Sequence, residues 1–224
     1  MGEVGTAMRS TSRPHPVLCA GYMPMRPRSF RARTNSHREY NSRMVNISLL
    51  PHPTSPEPAV TSLSVTIERT MAARLQLDYL LEGELDALRI EEFTALRRAD
   101  RLWEHTCFEL FARLPGSTAY CELNFATSGA WAAYRFSDYR AGMEPMAEVS
   151  PTVRLKRDGS TLRLQASLSL ADLTPAFTSA ALQLAASAVI ENRAGYRSYW
   201  AARHAPGKPD FHHADAFAIA LATA

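Results

Sequence analysis

Several features that would fix a functional class are missing from this chain of 224 residues. No apolar run approaches the roughly 18 residues needed to cross a bilayer, so no membrane partner is expected. There is no internal repeat, no glycine-rich turn between strand and helix, no nucleophile elbow and no phosphate loop. Those absences remove solenoids, dinucleotide-binding folds, phosphate-loop enzymes and the common serine hydrolases. Cysteines number only three, Cys19, Cys107 and Cys121. Cys107 and Cys121 would pair only if their Cα atoms came within about 7 Å. They read instead as small apolar core residues of a protein in the reducing cytoplasm.

Charge of one sign is also scarce. The formal net charge is +3, but it divides unevenly. Residues 1–43 hold eight arginines against Glu3 and Glu39, giving +6. Residues 44–224 hold the other 17 basic side chains against 20 acidic ones, giving −3. A mildly acidic body argues against a general nucleic-acid surface. The Arg-, Ser- and Pro-rich segment 1–43 shows no sustained period and is expected to be disordered. It resembles a targeting peptide in its shortage of acids, or a basic arm, but the abrupt change at Met44 favours translation beginning there. Peptides from before Met44 in the natural protein would reject that start.

What is present from Met44 onward is alternation. Prolines 51, 53, 56 and 58 suit an extended lead-in. Leu63, Val65 and Ile67, then Leu75, Leu77, Tyr79 and Leu81, repeat every second residue and predict an antiparallel pair. A short strand is expected over 88–93, then a charged loop. His105–Leu114 and Tyr120–Phe125 read as a hairpin across Pro115-Gly116. Asp158-Gly159 marks another between VRLKR and TLRLQASLSL. One short helix is expected in ADLTPAF, and the last strands lie in LQLAASAVIE, SYWAA and FAIALA. Eight or nine short strands with at most one or two short helices predict an all-β, antiparallel β-sandwich of jelly-roll type over residues 44–224.

Two segments concentrate the aromatic and polar side chains. Residues 102–143 and 198–213 together hold all three tryptophans and four of the seven histidines. The first carries Trp103, Thr106, Cys107, Phe108 and Glu109, then Asn124, Phe125, Ser128, Gly129, Trp131, Ala132, Ala133 and Tyr134, with Tyr139, Arg140, Gly142 and Met143 beyond. The second reads SYWAARHAPGKPDFHH. These runs resemble the signature of bacterial DOMON-like domains, a group sharing the fold of family 9 carbohydrate-binding modules. The pattern departs from that signature at Arg101, where Gly is expected, and at Ala126-Thr127, where Ser-Pro is usual. The resemblance covers about residues 45–221 and implies a β-sandwich that binds a sugar or haem.

The residues themselves leave choices open. Trp103, Trp131 and Trp200 either offer flat faces to a pyranose ring or fill the core with their N–H groups satisfied. Glu109, mid-strand between apolar neighbours, is either a buried carboxylate with a structural partner or an acceptor facing a ligand. Glu122 and Asn124 share a face with Tyr120 and either line a groove or form a solvated side. Asp210, His212, His213 and His204 are close in sequence, but match no metal-site spacing, so no metal is expected. Haem would need an axial ligand, for which His105 and Met143 are the candidates. Glu104 and Glu109, five apart on one strand, would face opposite sides of the sheet, which argues against a catalytic carboxylate pair. The reading is a non-enzymatic module without cofactor, binding a saccharide or similar small polar ligand. Its predicted contacts are Trp103, Glu104, His105, Glu109, Asn124, Trp131, Arg140, Trp200 and His204. A haem- or metal-binding domain, or a protein-interaction module, is the alternative.

Overall fold

A computed structural model describes residues 43–223. The segment expected to be disordered lies, but for Arg43, outside the described residues. The chain forms β1 (Met44–Ser48), β2 (Leu50–Pro51), β3 (Val60–Arg69), β4 (Arg74–Gly83), β5 (Arg97–Arg98), β6 (Cys107–Arg113) and β7 (Tyr120–Ala126). It continues with β8 (Ala130–Phe136), β9 (Glu144–Pro145), β10 (Thr152–Asp158), β11 (Thr161–Ser169), helix α1 (Leu170–Leu173), β12 (Leu182–Glu191), β13 (Arg197–Ala201) and β14 (Ile219–Leu221).

These strands make two packed sheets. The five-stranded sheet has the order β1-β3-β4-β11-β10. The nine-stranded sheet runs β2-β13-β12-β6-β7-β8-β5, with β14 pairing to β12 and β9 to β8. All pairings are antiparallel except β5 with β8, so the expected antiparallel sandwich is what forms. The alternation anticipated for β3 and β4 becomes the register Leu63↔Leu81, Val65↔Tyr79 and Ile67↔Leu77. The Asp158↔Thr161 register closes the β10–β11 hairpin through a two-residue turn. Gly159 takes its first central place with φ +56°, a conformation that a Cβ would strain.

Between the sheets, Leu63, Val65, Ile67, Leu77, Leu81 and Leu164 meet Phe108, Leu110, Leu123, Phe125, Leu184 and Ile190, all essentially buried. Tyr79 crosses this core and donates its hydroxyl to the backbone carbonyl of Glu109 at 2.7 Å. That satisfies a phenol group that burial would otherwise penalise. Arg69, 1 % exposed, donates to the carbonyls of Phe177, Ala180 and Ala222 and so ties β3 to two late segments. Cys107 and Cys121 are both free and buried. Cys121 belongs to the inter-sheet core, whereas Cys107 turns to the other face of the sheet, toward Asn124.

Ahead of the proline-rich lead-in, a strand that was not anticipated, β1, pairs with β3 from Met44↔Glu68 to Ser48↔Ser64. One local expectation fails. Residues 88–93 form no strand. Their backbone donors go to separate partners, Arg89 N to Glu191 O and Glu91 N to Thr127 Oγ1, instead of to one ladder. The strand in this stretch is Arg97–Arg98, inside the expected charged loop. ADLTPAF holds α1, capped by Ser169 Oγ accepting from Ala171 N at 3.2 Å. A 3-10 turn then begins at Pro175, whose ring prevents the helix from continuing.

The outer face of the nine-stranded sheet is not bare. Phe111, Tyr120, Tyr134, Phe136, Val189, Phe211 and Phe217 form a second, smaller apolar cluster there. A 3-10 turn at Leu102–Glu104 and the segments 137–143 and 203–217 fold over it.

Candidate functional site

Within that outer layer, β6, β7 and β12 place a row of polar side chains beneath a cavity of about 340 Å³. The register sets Ser187 opposite Glu109 and Glu109 opposite Asn124. Glu122, two residues from Asn124, shares its face. Exposures are 1 % for Ser187, 3 % for Glu109, 4 % for Glu122 and 0 % for Asn124. Carboxylates rarely sit so deep without a partner. Asn124 Nδ2 donates to Glu122 Oε1 at 2.7 Å, and Ser187 Oγ reaches Glu109 Oε2 at 3.4 Å. Glu109 Oε1 has no hydrogen-bond partner among the described residues.

The electrostatics follow from that burial. Desolvation pushes the Glu109 carboxyl well above its ordinary range, and the neighbouring Glu122 charge pushes further; Ser187 and Arg140 offset only part. Desolvation raises Glu122 to about 7, against the pull of the Asn124 hydrogen bond and the Arg140 charge. Two carboxyls this close do not both ionise readily.

Aromatic groups wall the cavity. Trp103 sits edge-on to Tyr134, with ring centroids 5.9 Å apart. Tyr199 and Phe211 meet at 6.1 Å on the β13 side. Arg140, Arg197, Met143, Pro209 and His212 complete the lining. Two loops carry much of this wall, and Tyr120 fastens both. Its hydroxyl hydrogen-bonds His212 Nδ1 at 2.7 Å and accepts from Arg140 N at 3.2 Å, while its ring stacks on Phe136 at 4.7 Å. Arg140 holds a left-handed backbone, φ 51°, unusual for a residue with a side chain. Its guanidinium donates to Asp210 Oδ1 at 2.8 Å, and Tyr139 donates to Asp210 Oδ2 at 2.6 Å. Burial acts to raise the Asp210 carboxyl, but those hydrogen bonds and the Arg140 charge outweigh it and hold the group low. His212 Nε2 stands 3.8 Å from Glu122 Oε2, beyond hydrogen-bond reach. Burial and the Arg140 charge press its imidazole down to about 4, so it is neutral near pH 7 and forms no ion pair with Glu122.

The predicted contact residues separate into groups. Trp103, Glu109 and Arg140 line this cavity, with Asn124 orienting Glu122 beneath it. Glu104 and His105 line a different cleft of about 360 Å³. There Glu104 pairs with Arg101, and His105 Nδ1 meets Glu191 Oε2 at 2.7 Å. Trp131 packs against the inter-sheet core. Trp200 is 5 % exposed in that core, with its indole N–H donating to Ser198 Oγ at 2.9 Å. Both therefore occupy the face opposite the cavity. His204 lies at the β2 edge, bonded through Nε2 to Leu50 O at 2.8 Å. His105 and Met143, the candidate haem ligands, line separate cavities. A more open groove of about 810 Å³ runs between β8 and α1. Its Arg135 and Glu148 already pair at 2.6 Å. The contributions of Tyr199, Phe211 and His212 were not anticipated as part of one site with Glu109. Their only signal was their place in the second aromatic-rich segment.

No family model matches the chain, and no curated protein matches it by sequence. Solved structures do match. One is a "putative carbohydrate-binding protein" from Bacteroides uniformis, with TM-score 0.56 and 12 % identity over 80 % of this chain and 85 % of that one. Another is a family 9 carbohydrate-binding module from Caldicellulosiruptor kristjanssonii in complex with cellotriose, with TM-score 0.41 and 9 % identity over 72 % and 75 %. At such identities the first likeness is one of fold, and the second carries no further weight.

Proposed function

We propose that the protein is a non-enzymatic binding module for a saccharide, taken up in the cavity on the outer face of the nine-stranded sheet. The observation that carries this reading is Glu109, a buried carboxyl at the floor of an aromatic-walled cavity whose Oε1 has no hydrogen-bond partner among the described residues. A pyranose offers hydroxyl donors for Glu109 and Glu122 and C–H faces for Trp103 and Tyr199. A cavity of about 340 Å³ is at the small end of ligand sites, which suits one or two rings more than a long chain. The DOMON-like signature and the fold shared with a protein described as carbohydrate-binding support the same reading. Glu109 and Glu122 stand diagonally on adjacent strands of one floor, Glu109 opposite Asn124 and Glu122 opposite Phe111. Glycoside hydrolysis needs carboxyls flanking the scissile bond, so this placement favours binding over cleavage. The contact set narrows to Trp103, Glu109 and Arg140, with Glu122, Tyr199 and His212 added and Asn124 as orienter.

The test is calorimetry and thermal shift against mono- and oligosaccharides, with Trp103→Ala alongside. A ligand at 100 times its Kd adds about 2.7 kcal/mol. Binding that disappears in Trp103→Ala is the expected result. Silence across the sugars, or binding untouched by that substitution, rejects the site.

A further inference from the structure

The floor of the cavity contains two carboxyl groups but no cation bonded to either. Arg140, whose field reaches both, commits its guanidinium to Asp210. Arg197 lines the cavity from an exposed position on β13. Glu122 has its Oε1 fixed by Asn124, while its Oε2 accepts no hydrogen bond among the described residues and faces His212 across 3.8 Å. Glu109 Oε1 is likewise without a donor at 3 % exposure. Two carboxyl groups on neighbouring strands therefore line one cavity, each with an oxygen that accepts no hydrogen bond among the described residues. The remaining groups facing them do not supply a charge. Cys107 and Tyr134 are held neutral by burial, Tyr120 is pushed up to about 12, and His212 is neutral.

A hydroxyl placed there satisfies one lone pair and leaves ionisation of both carboxyls unfavourable. An ammonium carries three donors and a positive charge on one atom. It can bond both carboxylates at once and cancel their repulsion, where low polarisability of the surroundings strengthens the attraction. We propose that this cavity selects a sugar bearing a free ammonium group, of the hexosamine class, with the nitrogen seated between Glu109 and Glu122. The inference rests on the saccharide reading above. An acetylated nitrogen has neither the charge nor the three donors, and it adds bulk in a cavity lined by Phe136 and Val189, both buried.

Ammonium binding draws the carboxyls into their ionised forms, so protons leave as the ligand enters. The decisive experiment is calorimetry of the intact protein with D-glucosamine, D-glucose and N-acetyl-D-glucosamine, in two buffers of different ionisation enthalpy. At about pH 7.5, glucosamine is expected to bind at least about tenfold more tightly than glucose, with net proton release. The preference should shrink toward unity at about pH 5.5, where the carboxyls are protonated. It should shrink likewise in Glu109→Gln and Glu122→Gln, which keep shape and lose charge. Equal affinity for glucosamine and glucose, equal affinity for the acetylated sugar, or a preference that survives both substitutions overturns the amino-sugar inference and leaves the saccharide site standing. Failure of all three sugars removes the saccharide reading and this inference with it.

Discussion

The two faces of the nine-stranded sheet are made by the same strands and do opposite work. On β6, Phe108, Leu110 and Ala112 enter the inter-sheet core, while Glu109 and Phe111 face outward. On β7, Leu123 and Phe125 pack inward, and Glu122 and Asn124 form the cavity floor. Both faces are dry. Inward, the side chains are mostly apolar, the few polar atoms such as the Tyr79 hydroxyl are hydrogen-bonded, and burial is favourable by roughly 25 cal/mol per Å². Outward, burial disfavours the ionised carboxyls, which have few hydrogen-bond partners to offset it. The contrast teaches that the depth of a side chain in this sheet says nothing of its role, whereas its unmet hydrogen-bonding capacity does.

Three measurements sharpen or break that contrast. The largest effect is expected inward. Phe108→Ala should lose about 3–5 kcal/mol in urea unfolding, because the site is fully buried on both flanks. A loss under about 1 kcal/mol would mean the inner face is not the main store of stability.

Outward, the next effect depends on pH. A carboxyl whose pKa rises on folding favours the folded state while protonated, so its contribution falls as pH climbs. For Glu122 the window runs from the ordinary 4.5 to about 7. His212 acts oppositely, because its pKa falls from 6.5 to about 4 and stability gains as pH rises through that interval. Each full shift corresponds to roughly 3 kcal/mol at most. Between them the slopes largely cancel. Glu109, also raised by burial, keeps a fall of its own, so Glu122→Gln should lessen the fall without abolishing it and raise stability above pH 7 by about 2–3 kcal/mol. His212→Asn should steepen the decline. Profiles parallel to that of the unmodified protein in both variants would show that neither group is as buried as described.

The smallest effect comes from the tryptophans. Trp131→Phe should cost about 1 kcal/mol through lost packing and leave saccharide affinity unchanged. Trp103→Phe should do the reverse, lowering affinity with little change in unfolding. If Trp131→Phe weakens sugar binding, the division of faces is wrong.

Much of the architecture was legible because its signals are local. The period of two in β3 and β4 and the Asp158-Gly159 turn each act over a few residues. Glu109 stood out as a charge amid apolar neighbours for the same reason. The orientation of Trp131 and Trp200 was not legible. In β8 Trp131 shares its face with Ala133 and the exposed Arg135, so alternation pointed that face outward although Trp131 packs on the inter-sheet core. Trp200 stands in β13 beside buried Ser198 and Ala201, with no polar face to give its direction. Nor does a sequence reveal that His212, 92 residues beyond Tyr120, meets its hydroxyl. That closure depends on how loops fold over a finished sheet.

Tyr120 has a further consequence for how quickly a ligand is captured. One hydroxyl ties the backbone at Arg140 and the ring of His212 to the same strand, and Asp210 cross-braces the two loops. With its walls already in register, the cavity has little ordering entropy left to lose. A saccharide of the proposed kind would then be captured in a single diffusive encounter, and its stay would depend on how well it answers the two carboxyls below.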